Sequence, residues 1–416
     1  MSAVHPEHLH AARPEPRAIA DIYLTAEQRA LVQRVGALAR DRFAARAPLY
    51  DETATFPRED FEDLFAAGLL APCVPREYGG LNLGPYRGDV FTLWMMTKEL
   101  AKADLSLARC WEGHANSLVI LEGIADEEQK ARWFAGVVER GEMWVAWSGE
   151  PQSRALGEKP RFGTSVERTD GGWIVDGTKA FCTSAGGARW AILLVNSAGP
   201  GGARHASGSP DTLLLMAVDL ADPSITFDGS WWNPIGMRAT VSHAARFDRT
   251  FVPDANIIGA PGRYLREGWQ TCFAPHYAAS FLGAAEAAFE YALAYVGTQN
   301  KGDDPYVQHH LAAMAMNVDS GHLWLRHVAS LWESGAVEEA QIAGSRARHL
   351  VEHFAEETVQ HAVRACGARS LNRPSALERI YRDLSIYIRH DNDDQVLATV
   401  GRALLGKNFD ASFYKP

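Results

Sequence analysis

The stretch GTSVERTDGGWIVDGTKAFCTSA, residues 163–185, decides how the rest of the chain is read. β-Branched and aromatic residues alternate with polar ones on both sides of Asp170-Gly171-Gly172, the pattern of two antiparallel strands joined by a tight turn. Moving outward, MWVAWSGEP (143–151), RWAILLVNS (189–197), DTLLLMAVDL (211–220) and SITFDGSW (224–231) are also short apolar runs broken by Gly, Asp and Pro. They extend the β region in both directions. PGGARHASGSP (200–210) lies between two of these runs and reads as a surface loop.

Beyond these runs the period changes. From Thr25 to Gly141 the apolar residues recur at helical spacing. TAEQRALVQRVGALARDRF opens on Thr25 with Gln28 three residues later, a capping box, and FPREDFEDLFAAGLLAP is a short helix closed by Gly68 and Pro72. A long apolar helix from Val90 to Lys102 and another through LARCWEGHANSLVILEGI follow. After Pro253 helices return in SFLGAAEAAFEYALAYV, PYVQHHLAAMAMNVDSGHLWLRHVASLWE, EEAQIAGSRARHLVEHFAEETVQHAVRAC and DDQVLATVGRALL. Each has one apolar stripe, as in an antiparallel bundle. The expected class is α+β: a helical domain over 21–141, a β-barrel or sandwich domain over 142–260, and a C-terminal four-helix bundle over 261–416.

Composition narrows the function. The 416 residues exceed what one core organises. The formal net charge of −10 argues against non-specific nucleic-acid binding. No apolar run reaches the length of a membrane span, and the first twenty residues lack a signal-peptide pattern, so a soluble, cytoplasmic protein is expected. Five scattered cysteines with no CxxC pair fit a reducing compartment and carry no metal signature.

Four segments, in this order, resemble the acyl-CoA dehydrogenase superfamily. They are VPREYGGLNLG (74–84), EEQKARWFAGVVERGEMWVAWSGEP (127–151), DGTKAFCTSAGGARWAILLV (176–195) and WNPIGMRATVSHAARFDRTFVPDANIIG (232–259). The likeness covers nearly the whole chain and implies a flavoenzyme with FAD as cofactor. Its flavin-facing strand places Phe181 beside the ring and Thr183 near N5, with Ser184 adjacent. The hydroxyl that relatives carry before the acid–proline pair falls on Gly149, and Ser148 stands one residue earlier. A flat apolar slot with a few hydroxyl or backbone groups is what an isoalloxazine needs. The alternative for Thr183 and Ser184 is a plain turn at a strand end.

Several departures from the dehydrogenase pattern bear on activity. Relatives of the dehydrogenase branch place a catalytic glutamate about nine residues after an Arg-Asp pair. Here the pair is Arg382-Asp383, and that slot holds Asp391, preceded by His390, in YRDLSIYIRHDNDDQ. A His-Asp pair there resembles the family's oxygen-using branch, the flavin monooxygenases with a type-2 C-terminal domain. The resemblance makes Asp391 a general base and His390 a group for oxygen chemistry. The plain alternative is a solvated loop. CFAPHYAAS has no arginine where relatives direct one to CoA, and TQNKG places Thr298 and Lys301 where relatives grip the FAD pyrophosphate. RACGARS offers Arg364 and Gly367 at a corner that in relatives touches the neighbouring subunit's FAD, so a homo-oligomer, dimer or tetramer, is implied.

His114 and Trp147 are candidates for the substrate pocket, each with core packing as the alternative. The spacings His309-His310 and His349/His353 resemble metal pairs, yet no acid stands at a helical offset, so no metal is expected. Three activities remain open. An oxygenase or oxidase would use molecular oxygen on an acyl thioester or related small molecule. A dehydrogenase would use Asp391 as base on a CoA thioester. A non-catalytic member is disfavoured because the flavin strand is retained.

Overall fold

The computed structural model describes residues 19–86, 88–149, 164–197, 212–390 and 393–407. The N-terminal helices are α1 (Ile19–Tyr23), α2 (Ala26–Leu38), α3 (Ala44–Thr53), α4 (Arg58–Ala66), α5 (Val90–Ala103), α6 (Leu105–Ile124) and α7 (Glu127–Arg140). The capping box forms: Gln28 N–H donates to Thr25 Oγ1 and Thr25 N–H to Gln28 Oε1. α5 and α6 are buried nearly all round, which explains why their sequences are mostly apolar.

Seven strands follow among the described residues: β1 (Trp144–Trp147), β2 (Ser165–Thr169), β3 (Gly172–Cys182), β4 (Trp190–Asn196), β5 (Leu213–Asp219), β6 (Ile225–Asp228) and β7 (His243–Pro253). Thr169 pairs with Gly172, so the hairpin turns on Asp170 and Gly171, the latter at φ 73°. The strands form two sheets, ordered β1-β4-β5 and β2-β3-β7-β6. β4 is buried on both faces. Ile192 and Leu194 join the core shared with the helices, while Ala191, Leu193 and Val195 join the core between the sheets. Burial on both sides accounts for its continuous apolar run. The loop expected at 200–210 lies outside the described residues.

The C-terminal part has the short α8 (Arg263–Arg266), then α9 (Ala274–Thr298), α10 (Pro305–Glu333), α11 (Val337–Cys366), α12 (Ala376–Tyr387) and α13 (Asp393–Leu404). α12 is one helix beyond the four that periodicity marks. Its apolar positions Leu377, Ile380, Leu384 and Tyr387 are buried, but charged Arg379 and Asp383 are buried among them. That mixture hides the apolar stripe from a reading of hydrophobicity. The helices of the two ends share one core, and Lys98 of α5 donates to Glu286 of α9 at 2.8 Å inside it.

Candidate functional site

β3 ends in a bulge against β7, between Lys179 and Cys182. There the backbone of Phe181 turns left-handed, at φ 53°, and the ring stands 59 % exposed. Ser184 (φ 63°), Met237 (φ 56°) and Val241 (φ 41°) adopt the same uncommon conformation close by. Four such non-glycine residues around one loop mark a place where the fold accepts strain, as functional sites do. Trp231 and Trp232 pack edge-on against Phe181 at 5.5 and 6.2 Å, extending an aromatic wall. Gly149 receives the Ala180 N–H, and a Cβ at Gly149 would stand 2.5 Å from the Ala180 carbonyl oxygen. No side chain fits there, so the family's hydroxyl is absent for a steric reason. Ser148, beside it, is half-buried.

Thr183 belongs to a chain of hydroxyls. Its Oγ1 lies 3.0 Å from Ser242 Oγ, which lies 2.8 Å from Thr240 Oγ1, which donates to the Met237 carbonyl. Thr240 has one proton and gives it to that carbonyl. Ser242 must then donate to Thr240, and Thr183 to Ser242. Thr183 Oγ1 is left with lone pairs on its outer side. Trp147, buried in the sandwich core, donates its indole N–H to the Thr183 carbonyl at 3.1 Å. It thus sits behind the loop that it fixes. Ser184 Oγ is buried without a hydrogen-bond partner.

The Arg382-Asp383 pair clamps this loop to the helices. Asp383 accepts the Met237 N–H at 2.6 Å, and Arg382 donates to the Ile235 carbonyl and to both oxygens of Asp51. A Cβ on Gly236 would meet the Arg382 backbone at 2.3 Å, so Gly-Met-Arg can lie against α12 only as glycine. Burial pushes the Asp383 carboxyl up to about 7.

α6 links the hydroxyl chain to a second group of side chains. Cys110 Sγ lies 4.0 Å from the Thr240 carbonyl, and its neighbour Arg109 reaches the other way, with Nη2 3.3 Å from His390 Nε2. The His390 ring lies 5.0 Å from that of Tyr277 and 6.1 Å from that of Tyr387. Arg109 stands over both tyrosines. It is held in turn by Glu112, which is fully buried and accepts from Arg109 at 3.0 Å, Ser280 at 3.0 Å and Tyr387 at 2.6 Å. Burial pushes the Glu112 carboxyl up, and Arg109 opposes it. Guanidinium only donates, so at this contact His390 Nε2 accepts and the ring proton sits on Nδ1.

His390 therefore meets partners that the sequence reading did not name, Arg109, Tyr277 and Tyr387, and behind them stand Glu112 and Ser280. One signal was available, since Arg109 and Glu112 are a charged i,i+3 pair in a mostly apolar, buried helix. Asp391 lies outside the described residues. His114 is in the interior, with Nε2 2.8 Å from the Leu70 carbonyl and Nδ1 accepting the Trp144 N–H at 2.9 Å. Both nitrogens are spent on backbone, and burial lowers its pKa to about 4, so it joins β1 to the helices instead of lining a pocket. Arg364, exposed, and Gly367 lie at the C-terminal end of α11.

A strained, exposed aromatic beside oriented hydroxyls fits a flat heteroaromatic ring, and with the helix–sandwich–helix plan it defines a flavoprotein oxidoreductase. Comparison with known proteins agrees. The family models "Acyl-CoA dehydrogenase, N-terminal domain" and "Acyl-CoA dehydrogenase, C-terminal domain" match residues 25–141 and 276–394, together more than half of the chain. The chain belongs to the acyl-CoA dehydrogenase family. It is 26% identical to dibenzothiophene monooxygenase of Rhodococcus erythropolis, over 97% of each chain. It is 28% identical to cyclohex-1-ene-1-carbonyl-CoA dehydrogenase of Geobacter metallireducens, over 92% of this chain and 99% of that one. The FMN-bound structure of TdsC from Paenibacillus sp. A11-2 superposes with a TM-score of 0.81 at 22% identity, covering 93% of this chain and 100% of that one.

Proposed function

We propose that this flavoenzyme is a monooxygenase that uses reduced flavin and molecular oxygen on a small, largely apolar molecule. The observation that carries the reading is the setting of His390. In the segment where a dehydrogenase of this family holds its base, an imidazole is oriented by Arg109 and flanked by Tyr277 and Tyr387. Flavin, when bound, supplies the two-electron chemistry with oxygen. The chain supplies the rest. Phe181, Trp231 and Trp232 would cover one face of a bound ring and keep water from it. Thr183 Oγ1 offers lone pairs instead of a proton, which suits the N–H edge of a reduced ring. His390 holds a proton at Nδ1, and Glu112 balances the charge of Arg109 so that the imidazole keeps its orientation.

The flavin contacts inferred for Ser148, Phe181, Thr183 and Ser184 are part of this proposal. The lost pyrophosphate grip at Thr298 and Lys301 favours FMN over FAD, and the FMN carried by TdsC agrees. If FAD is used instead, Arg364 and Gly367 would hold a neighbouring subunit's cofactor. A homo-oligomer is supported by the large apolar side chains exposed on α10, including Tyr306 at 80 % and Met316 at 64 %. Five free, buried cysteines suit the cytoplasm, and no helix among the described residues is long and apolar enough to cross a membrane.

A second reading, an acyl-CoA dehydrogenase with Asp391 as base, is favoured by the kinship with the cyclohexenecarbonyl-CoA enzyme. One pair of variants separates the two. A proton-transfer group typically contributes about 10²–10⁴ in rate. Under the oxygenase reading His390→Ala loses product by that order and releases hydrogen peroxide in its place, while Asp391→Asn changes anaerobic reduction by thioesters not at all. Unchanged product yield per oxygen in His390→Ala refutes the role given to His390, absence of any oxygenated product with reduced flavin in the wild type refutes the oxygenase reading, and slowed thioester-driven reduction in Asp391→Asn establishes the dehydrogenase.

A further inference from the structure

His349 and His353 stand one turn apart on α11, so both side chains leave the same face of the helix. Their rings are 4.4 Å apart. Acids do stand at helical offsets, Glu352 and Glu356, but they pair with Arg348 and Arg389, and the fold brings another carboxylate from forty residues further along. Asp393, the first residue of α13, places Oδ1 2.7 Å from His349 Nδ1 and Oδ2 3.5 Å from His353 Nε2. One ligand atom from each of the three lies within 4.8 Å of the others. Two ligands on a zinc-class ion with bonds of 2.0–2.1 Å stand about 3.3 Å apart in a tetrahedron. The two separations found bracket that value, so small side-chain rotations suffice.

We propose that His349, His353 and Asp393 form a binding site for a zinc-class divalent transition-metal ion at the junction of α11 and α13. Two imidazoles and one carboxylate are a borderline donor set that suits zinc, cobalt or nickel better than calcium or magnesium. His349 and Asp393 are half-buried and His353 is exposed, which leaves the fourth position open to water. The surroundings hold charge in near balance. Arg348 lies 3.3 Å from Asp393 Oδ1 and is paired with Glu352 at 2.8 Å, and Arg389 pairs with Glu356 at 3.0 Å. Arg348 therefore supports the carboxylate from behind, with its own charge offset by Glu352. A bound ion would replace the His349 hydrogen bond and the longer His353 contact to the Asp393 carboxylate with three metal bonds. It would tie α13 to α11 directly after the segment that carries His390. This inference does not rest on the flavin reading, and its test reads metal binding, not activity.

The test is calorimetric titration of the EDTA-treated full-length protein with zinc chloride, repeated for His353→Ala, His349→Ala and His310→Ala. The last variant controls for the separate histidine group in which His310 Nδ1 meets His361 Nδ1 at 2.8 Å. His353 is exposed, so its alanine variant keeps the fold, checked by an unchanged melting curve in EDTA. The expected result is one zinc ion per chain, with affinity lowered at least about tenfold in both His353→Ala and His349→Ala and unchanged in His310→Ala. No saturable binding, binding that survives both of the first two substitutions, or binding lost in His310→Ala overturns the proposal.

Discussion

Arg109→Met separates an oriented His390 site from a merely packed one. The substitution keeps most of the side-chain volume but removes the donor to His390 Nε2 and the cation paired with Glu112. Glu112 is then a buried carboxylate with only two neutral donors, Ser280 and Tyr387. Burial already raises its pKa, and Arg109 is the foremost group lowering it, so the substitution raises the pKa further. A carboxyl with a raised folded-state pKa contributes stability that is fully present below its unfolded pKa and is lost as pH rises through the folded one. The variant should therefore lie closest to wild type at the acid end, pH 5, and fall further behind as pH rises. At pH 8 it should be destabilised by about 3–5 kcal/mol, the usual cost of breaking a buried ion pair from one side. Thermal melts of both proteins at pH 5, 6.5 and 8 measure the difference, and hydrogen peroxide per oxygen consumed measures the effect on His390. Equal destabilisation at pH 5 and pH 8, together with unchanged peroxide release, would refute both the ion-pair argument and the positioning of His390 by Arg109.

Three other outcomes are expected. Thr183→Val breaks the first link of the hydroxyl chain, costs about 1 kcal/mol in stability, and weakens binding of reduced flavin more than of oxidised flavin; equal weakening of both, by fluorescence and anaerobic titration, contradicts the inferred proton direction. Gly236→Ala forces a methyl against the Arg382 backbone and should reduce soluble yield or lower the melting temperature sharply, because backbone on both sides leaves little room to relax; a melting temperature indistinguishable from wild type would show that the clamp is loose. Asp383, with a folded pKa raised to about 7, loses stability as pH climbs from its unfolded value through 7, so Asp383→Asn should flatten the fall in melting temperature between pH 5 and 8; an unaltered slope assigns that fall to other groups.

Much of the architecture was legible because its causes are local. The capping box at Thr25, the two-residue turn at Asp170-Gly171 and the stripes of α9, α10 and α11 depend on residues a few positions apart, and each appears where the spacing places it. The strand Gly172–Cys182 was legible through its motif, and the backbone turns left-handed at Phe181 and Ser184, where that motif ends. α12 was not legible, because charges that ordinarily mark a solvated face are buried there by partners from distant segments.

His390 could be named from its position after Arg382-Asp383, but its partners could not. Arg109 is 281 residues away along the chain, and Tyr387 is 275 residues from the Glu112 carboxylate that it bonds. The roles of His114 and Trp147 turned on the same kind of information: each has a polar ring whose backbone partner lies thirty or more residues away. Asp393 likewise reaches His349 only because α13 folds back on α11. Sequence by itself determined most of the helices and strands, α12 and β7 excepted, because hydrophobic period and capping act over one or two turns. Tertiary structure decided which charged and hydroxyl groups share a buried site, because a desolvated Glu112 or Asp383 is tolerable only where the fold supplies its donors.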